Sequence, residues 1–201
     1  MPQRTRLSPD ARRVQLIDTA AREFAIHPYD DVRMDVIAER AEVSRGLLYR
    51  YFPTKRDLFA AVYRHAAHDL LDRTRFDTEH DLYGQIVAGL DVHFDFFETN
   101  RHIFLAANRT LGGDPLIHST IEKGLAGLRD EVIKVAGLSG RSRDLAAAAV
   151  LAWLSFVRTL CVEWQTTGGF SRDELRQMCL DALFGALGTT VPALASRAPD
   201  A

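Results

Sequence analysis

Cysteine is nearly absent from this chain. Its 201 residues contain only Cys161 and Cys179, too few for a disulfide-stapled scaffold or a zinc ribbon. Long apolar runs are missing too. The longest, residues 145–157, has only Ser155 as a polar interruption and is closed by Asp144 and Arg158. At about 1.5 Å per residue it spans roughly 20 Å, short of a roughly 30 Å hydrocarbon core, so no transmembrane helix is expected. The N-terminus carries Arg4, Arg6, Arg12 and Arg13 but no apolar block. No secretory signal is therefore expected, and a cytoplasmic chain with reduced cysteines is. A phosphate-binding glycine loop is lacking: Gly112-Gly113 and Gly168-Gly169 have neither a strand before them nor a lysine after them. No resident cofactor or metal is expected. Extreme charge is also missing, with 25 Lys+Arg against 27 Asp+Glu. What is present, 47% hydrophobic and 26% charged residues, is the balance of a folded globular chain and excludes general disorder.

The near-zero net charge conceals an asymmetry. Residues 1–74 hold 13 Lys+Arg and 11 Asp+Glu, while the rest hold 12 and 16. A basic N-terminal third joined to an acidic remainder allows local contact with a polyanion.

Helical periodicity runs through nearly the whole chain, and no segment alternates like a strand. An all-α fold of about nine helices is expected. Ser8-Pro9 reads as a helix start, and Val14, Ile17, Ala21 and Phe24 mark one face as far as His27-Pro28. A second short helix is expected over 34–41, with Ile37, Ala38 and Ala41 inward. A third starts at Ser44, carries Leu48 inward and stops near Phe52. Thr54-x-x-Asp57 opens a fourth helix, Thr78-x-x-Asp81 a fifth, Asp114-Pro115 a seventh and Ser171-x-x-Glu174 a ninth. Asn100 and Gly112-Gly113 bracket the sixth, and the eighth is expected over 143–167. The chain from Gly188, with Pro192 and Pro199, reads as a frayed tail. The resulting domains are 1–54, 55–190 and a tail at 191–201.

The informative stretch is VRMDVIAERAEVSRGLLYRYFPTK, residues 32–55. Two short helices joined by a tight turn are the geometry of a helix-turn-helix. Ala38 is small where the helices must approach, Val43 and Leu48 are apolar at the crossing, and Ser44 offers a capping hydroxyl. The outer face then carries Arg45, Leu47, Tyr49, Arg50 and Tyr51. Arginine reads guanine edges with paired hydrogen bonds, while tyrosine hydroxyls and Lys55 suit phosphates.

With the preceding Ala20-Ala21-Arg22-Glu23-Phe24, this stretch resembles the DNA-binding domain of the TetR family of bacterial transcriptional regulators. The resemblance covers roughly the first seventy residues. It implies an N-terminal three-helix helix-turn-helix domain followed by a larger helical domain for ligand binding and dimerisation. It places Arg45, Gly46 and Tyr49 near bases, and Ser44, Leu47, Tyr51 and Lys55 near phosphate or sugar. Three positions depart from the family pattern. Glu42 stands at the turn glycine. Arg33 replaces the hydroxyl residue that caps the second helix, so phosphate contact stays with Arg33 while capping passes to another group such as Asp31. Leu47 stands where a small hydroxyl residue is frequent.

In the remainder, the all-apolar run 145–157 must be buried on every side. Paired with the stripe Leu175, Met178, Ala182, Leu183 and Ala186 of the last helix, it predicts a four-helix homodimer interface. The spacing of Phe94, Phe97, Arg101, Phe104 and Asn108 makes one stripe if the helix continues past Asn100. With Trp153, Phe156 and Arg158, these residues form a candidate pocket for a small apolar effector. Each ring can equally be plain core, and Arg158 can pair with Glu163 or receive an acidic ligand. The expected function is a repressor released from palindromic operator DNA by such an effector, and not an enzyme. The competing reading is an all-helical metal-dependent hydrolase built on His65, His68 and Asp69, whose spacing can hold a metal.

Overall fold

The computed structural model describes residues 7–190 apart from Thr78 and His80. Arg4, Arg6, the start expected at Thr78 and the tail 191–201 therefore lie outside the described residues. Nine α-helices and no strand occur among the described residues. They are α1 (Pro9–Ile26), α2 (Met34–Arg40), α3 (Arg45–Tyr51), α4 (Lys55–Arg73), α5 (Leu82–Thr99), α6 (Arg101–Leu105), α7 (Pro115–Ala136), α8 (Gly140–Thr167) and α9 (Arg172–Thr190).

The helix ends follow local chemistry. Ser8 accepts a hydrogen bond from Ala11 N at 3.2 Å, Pro9 fills the first helical position, and His27 turns extended before Pro28. Thr54 and Asp57 exchange bonds: Thr54 N donates to Asp57 Oδ2 at 3.1 Å, and Asp57 N donates to Thr54 Oγ1 at 3.1 Å. Ser171 and Glu174 repeat this box at α9. Gly168, at φ 61°, ends α8 in the left-handed conformation that glycine adopts freely. Gly188 does not end α9, which runs on to Thr190.

The helices form two compact units. The first contains the described residues up to Ala66 together with Asn100–Thr120, and the second contains Ala67–Thr99 and the described residues from Ile121 onward. The boundary expected at 54/55 falls inside the first unit. The division instead lies within α4, and α6 with its flanks joins the N-terminal helices.

In the first unit, Phe24, Phe59 and Tyr29 make the aromatic centre, with Phe24 and Phe59 edge to face at 5.1 Å. Leu16, Ala20, Glu23 and Phe24 form the buried face of α1. The expected face is thus turned away from its first residue: Val14 is 51% exposed. Glu23 is tolerated inside because Arg40 of α2 pairs with it.

In the second unit, α8 packs against α9 and α5. Trp153 Nε1 donates to Cys179 O at 2.7 Å. On α9, Arg172 and Arg176 both reach the Asp91 carboxylate, at 3.3 and 2.6 Å, and tie α9 to α5. Both cysteines are buried free thiols, and burial pushes each well above its ordinary pKa.

Candidate nucleic-acid interface

Helix α2 ends at Arg40 with Ala41 as its C-cap, and the turn to α3 closes through backbone bonds. Glu42 N donates to Glu39 O and Val43 N to Ala38 O, both at 2.9 Å. Glu42 sits at φ 53°. A non-glycine residue there costs on the order of 1 kcal/mol, so the turn is made at an energetic penalty. Ser44 caps α3 by accepting from Leu47 N at 3.2 Å. Leu48 is fully buried, as are Ile37 and Ala38 on the facing side of α2. This anchors one side of α3 and fixes which side faces out.

The outward side carries exposed Arg45, Gly46, Tyr49 and Arg50, with Leu47 and Tyr51 half-buried at its flanks. The Arg50 guanidinium lies 5.9 Å from the centre of the Tyr51 ring, which preorients it. A Cβ built on Gly46 would meet nothing within 4 Å. Glycine inside a helix costs about 1 kcal/mol against alanine, and no contact within the chain calls for it. It leaves bare backbone on the outer face.

Two residues are engaged differently from the sequence expectation. Lys55 Nζ donates to the carbonyl oxygens of Tyr29 at 2.8 Å, Val32 at 3.1 Å and Asp30 at 3.2 Å. An ammonium has three N–H groups, so Lys55 is committed to its own chain. Its pattern of carbonyl partners spans the 3₁₀ turn Tyr29–Asp31, which sequence periodicity gave no reason to expect. Arg33 is the N-cap position of α2, but among the described residues no side chain caps that helix, Asp31 included. Arg33 instead grips Asp35 through Nε at 3.2 Å and Nη2 at 2.7 Å. That hydrogen bonding holds the Asp35 carboxyl below its ordinary pKa. The guanidinium remains on the surface beside α3.

The candidate pocket stripe does not form as one helix. At Asn100, φ −108° and ψ 30° interrupt α5 from α6, and a π-helical turn, Ala106–Thr110, follows. Phe94 and Phe97 are buried in the second unit. Arg101, exposed, Phe104, buried, and Asn108, half-buried, belong to the first, where Asn108 Nδ2 donates to Phe104 O at 2.8 Å. Phe156 is 39% exposed, and Arg158 is half-buried. Trp153 does line cavities: one of about 20 Å³ with Tyr83 and Phe184, and one of about 30 Å³ with His93 and Thr74.

The candidate metal trio does not converge. His65 faces Asp18 at 4.0 Å, His68 faces Asp72 at 3.6 Å, and Asp69 pairs with Arg73 at 2.8 Å. Among the described residues no group of three or more His, Cys, Asp or Glu is arranged to hold a metal.

Residues 16–62 match the family described as bacterial regulatory proteins, tetR family. The chain is 36% identical over 95 residues to the HTH-type transcriptional activator FasR of Mycolicibacterium smegmatis, covering 46% of this chain and 43% of that protein. It is 33% identical over 96 residues to the HTH-type transcriptional repressor SCO4008 of Streptomyces coelicolor, covering 48% and 50%. The matched part thus spans about half the length of these curated relatives or less. The fold is similar to that of a tetR-family transcriptional regulator from Streptomyces coelicolor, with a TM-score of 0.81 at 23% identity over 95% of this chain and 89% of the other.

Proposed function

Since the chain belongs to the TetR family of bacterial regulatory proteins, we propose that it is a cytoplasmic transcriptional regulator that binds operator DNA through α3. One observation carries this reading. Helix α3 is locked from behind by Leu48 and turns Arg45, Gly46, Tyr49 and Arg50 outward. Cationic and aromatic groups beside bare backbone are poor material for a core and good material for a major groove. Arg45, Gly46 and Tyr49 approach base edges. Ser44, Leu47, Tyr51 and Arg33 line the phosphates and sugars, and Arg33 must loosen its hold on Asp35 to do so. Lys55 acts from behind by bracing the 3₁₀ turn. The matched relatives are regulators by name, and the hydrolase reading is set aside.

The working unit is a homodimer built on α8 and α9. An 18-residue window of α8 has a mean hydropathy of 2.0, yet only 33% of it is buried within the chain. By length and composition that helix could cross a membrane. In this fold, packed on α9 through one side, it has an apolar side left over. Phe156 on α8 and Met178 on α9 are 39% and 41% exposed. A second copy covering both helices buries this surface and sets two α3 helices about 34–36 Å apart, one per turn of DNA.

The regulator represses, and a small apolar molecule in the second unit releases it. Support for the effector comes from the two apolar cavities there. A ligand that binds one conformation better shifts the population towards it.

Footprinting and fluorescence anisotropy on the DNA flanking the coding region test the reading. The expected result is a near-palindromic protected site with one dimer per site. Equal affinity for that DNA and for random duplex would refute it.

A further inference from the structure

We infer that Asp35 of α2 is a specificity-determining residue of the DNA interface, whose carboxylate accepts a hydrogen bond from the amino group of a cytosine in the operator. The inference rests on the DNA-binding reading above and adds to it a base-reading group outside α3.

Asp35 stands in the first turn of α2. Arg33 holds it side-on, donating from Nε to Oδ1 at 3.2 Å and from Nη2 to Oδ2 at 2.7 Å. The pair lies at the surface, with 71% of the Arg33 side chain and 30% of the Asp35 side chain exposed. The charge of Arg45, the first residue of α3, also acts on the Asp35 carboxyl and favours its ionised form. Asp35 thus sits within electrostatic reach of the helix that reads bases in the reading above. The N-terminal end of a helix favours a carboxylate, which accounts for an acid in this turn but not for its grip on Arg33. The paired N–H groups that suit a phosphate suit a carboxylate equally. In the free protein, a carboxylate of its own chain occupies the guanidinium proposed to meet DNA.

To reach a phosphate, Arg33 must give up Asp35. That leaves an unpaired anion against a polyanion, so the exchange goes forward only where the DNA offers Asp35 another donor. In the major groove the donors are the amino groups of cytosine and adenine, whereas guanine N7 and O6 and thymine O4 accept. Adenine sets its N7 acceptor beside its amino group, which repels the second carboxylate oxygen. Cytosine has a carbon there instead. A carboxylate only accepts, so it selects cytosine and rejects guanine and thymine. Where no donor meets Asp35, Arg33 stays on it and one phosphate contact is withheld. Asp35 in this way makes a phosphate contact, which by itself carries no sequence information, conditional on a base.

Anisotropy titrations at several salt concentrations test this with the unaltered chain, Asp35→Ala, Asp35→Asn and the double variant Arg33→Ala/Asp35→Ala. The duplexes are the operator found by footprinting, a random duplex, and operators with each base pair of a half-site changed in turn. The unaltered chain is expected to prefer cytosine at one position by about tenfold. Asp35→Ala should lose that preference and keep the others. On random duplex Asp35→Ala should bind more tightly, with a slope of log affinity against log salt steeper by about 0.9, because the released Arg33 takes a phosphate. In the double variant the added slope should vanish. Asp35→Asn should shift the preference at the same position towards adenine, whose N6 and N7 match an amide. A loosened α2 does not produce a new base preference, so Asp35→Asn decides the matter even if Asp35→Ala weakens the fold. An unchanged base profile in both variants, or an unchanged random-duplex slope in Asp35→Ala, would overturn the inference. The unaltered chain separates it from the broader reading. If that chain tells operator from random duplex and the Asp35 variants keep its base profile, DNA reading by α3 stands and the Asp35 assignment falls. If the unaltered chain fails to tell them apart, both fall.

Discussion

Lys55 holds Tyr29 twice: Nζ lies 4.5 Å from the ring centre and donates to the carbonyl oxygen of the same residue at 2.8 Å. With Val32 and Asp30 also accepting, one side chain at the start of α4 fixes the segment that leads into α2. Removing a charged donor from bonded carbonyls costs about 1.5–3 kcal/mol per bond at most, less where water can replace it. Lys55→Ala is therefore expected to lower unfolding free energy by about 1–3 kcal/mol in urea titrations. A phosphate contact would contribute about 0.9 to the slope of log affinity against log salt, and Lys55→Ala is expected to change that slope by much less.

Arg45→Ala removes an exposed guanidinium of α3 that the proposed function sets against base edges. Discrimination between operator and random duplex is expected to drop by about 1–3 kcal/mol, with little change in melting temperature because Arg45 is exposed. Parallel anisotropy titrations on the two duplexes read the difference. Unchanged discrimination would remove Arg45 from base reading.

Gly46→Ala separates stability from binding. The added methyl meets nothing within the chain, so helix propensity alone is expected to stabilise the domain by up to about 1 kcal/mol. The same methyl should weaken operator affinity by obstructing close approach. Thermal melts and anisotropy on one preparation should move in opposite directions.

Phe156→Glu places a charge in the exposed apolar side of α8. Sedimentation velocity is expected to show a dimer for the unaltered chain and a monomer for the variant. Operator affinity should fall at least tenfold, since one α3 alone reads one half-site. A dimer that survives would move the interface elsewhere.

His93 gives stability a pH dependence of definite sign. Burial lowers its folded pKa below the ordinary 6.5. As pH falls through 6.5, the unfolded chain takes up the proton first, so the unfolded state binds more protons and stability declines. Above about 6.5 this contribution is fully present. Denaturant titrations between pH 5 and 8 on the unaltered chain and His93→Phe are expected to differ in slope below 6.5, the variant being flatter.

Much of the first unit was legible along the chain. Ser8, Ser44 and Thr54 are caps whose partners lie three residues away, so spacing alone identifies them. Ile37, Ala38, Ala41 and Leu48 sit where helical period puts them. Longer-range choices escaped the same reading. Lys55 reads as a surface cation until carbonyls more than twenty residues earlier in the chain are seen to surround it. Nothing along the chain says that Glu23 is buried against Arg40. The aromatic stripe from Phe94 to Asn108 fits helical spacing, and only the backbone turn at Asn100 divides it.

The sequence by itself determined the helices, their starts and the residues facing out of α3, because capping bonds and helical period operate within a few residues. Tertiary structure decided which charges became struts, where α4 divides between the units, and that His93 is buried on α5. Those outcomes depend on groups brought together from distant parts of the chain, where burial and pairing energies outweigh any local preference.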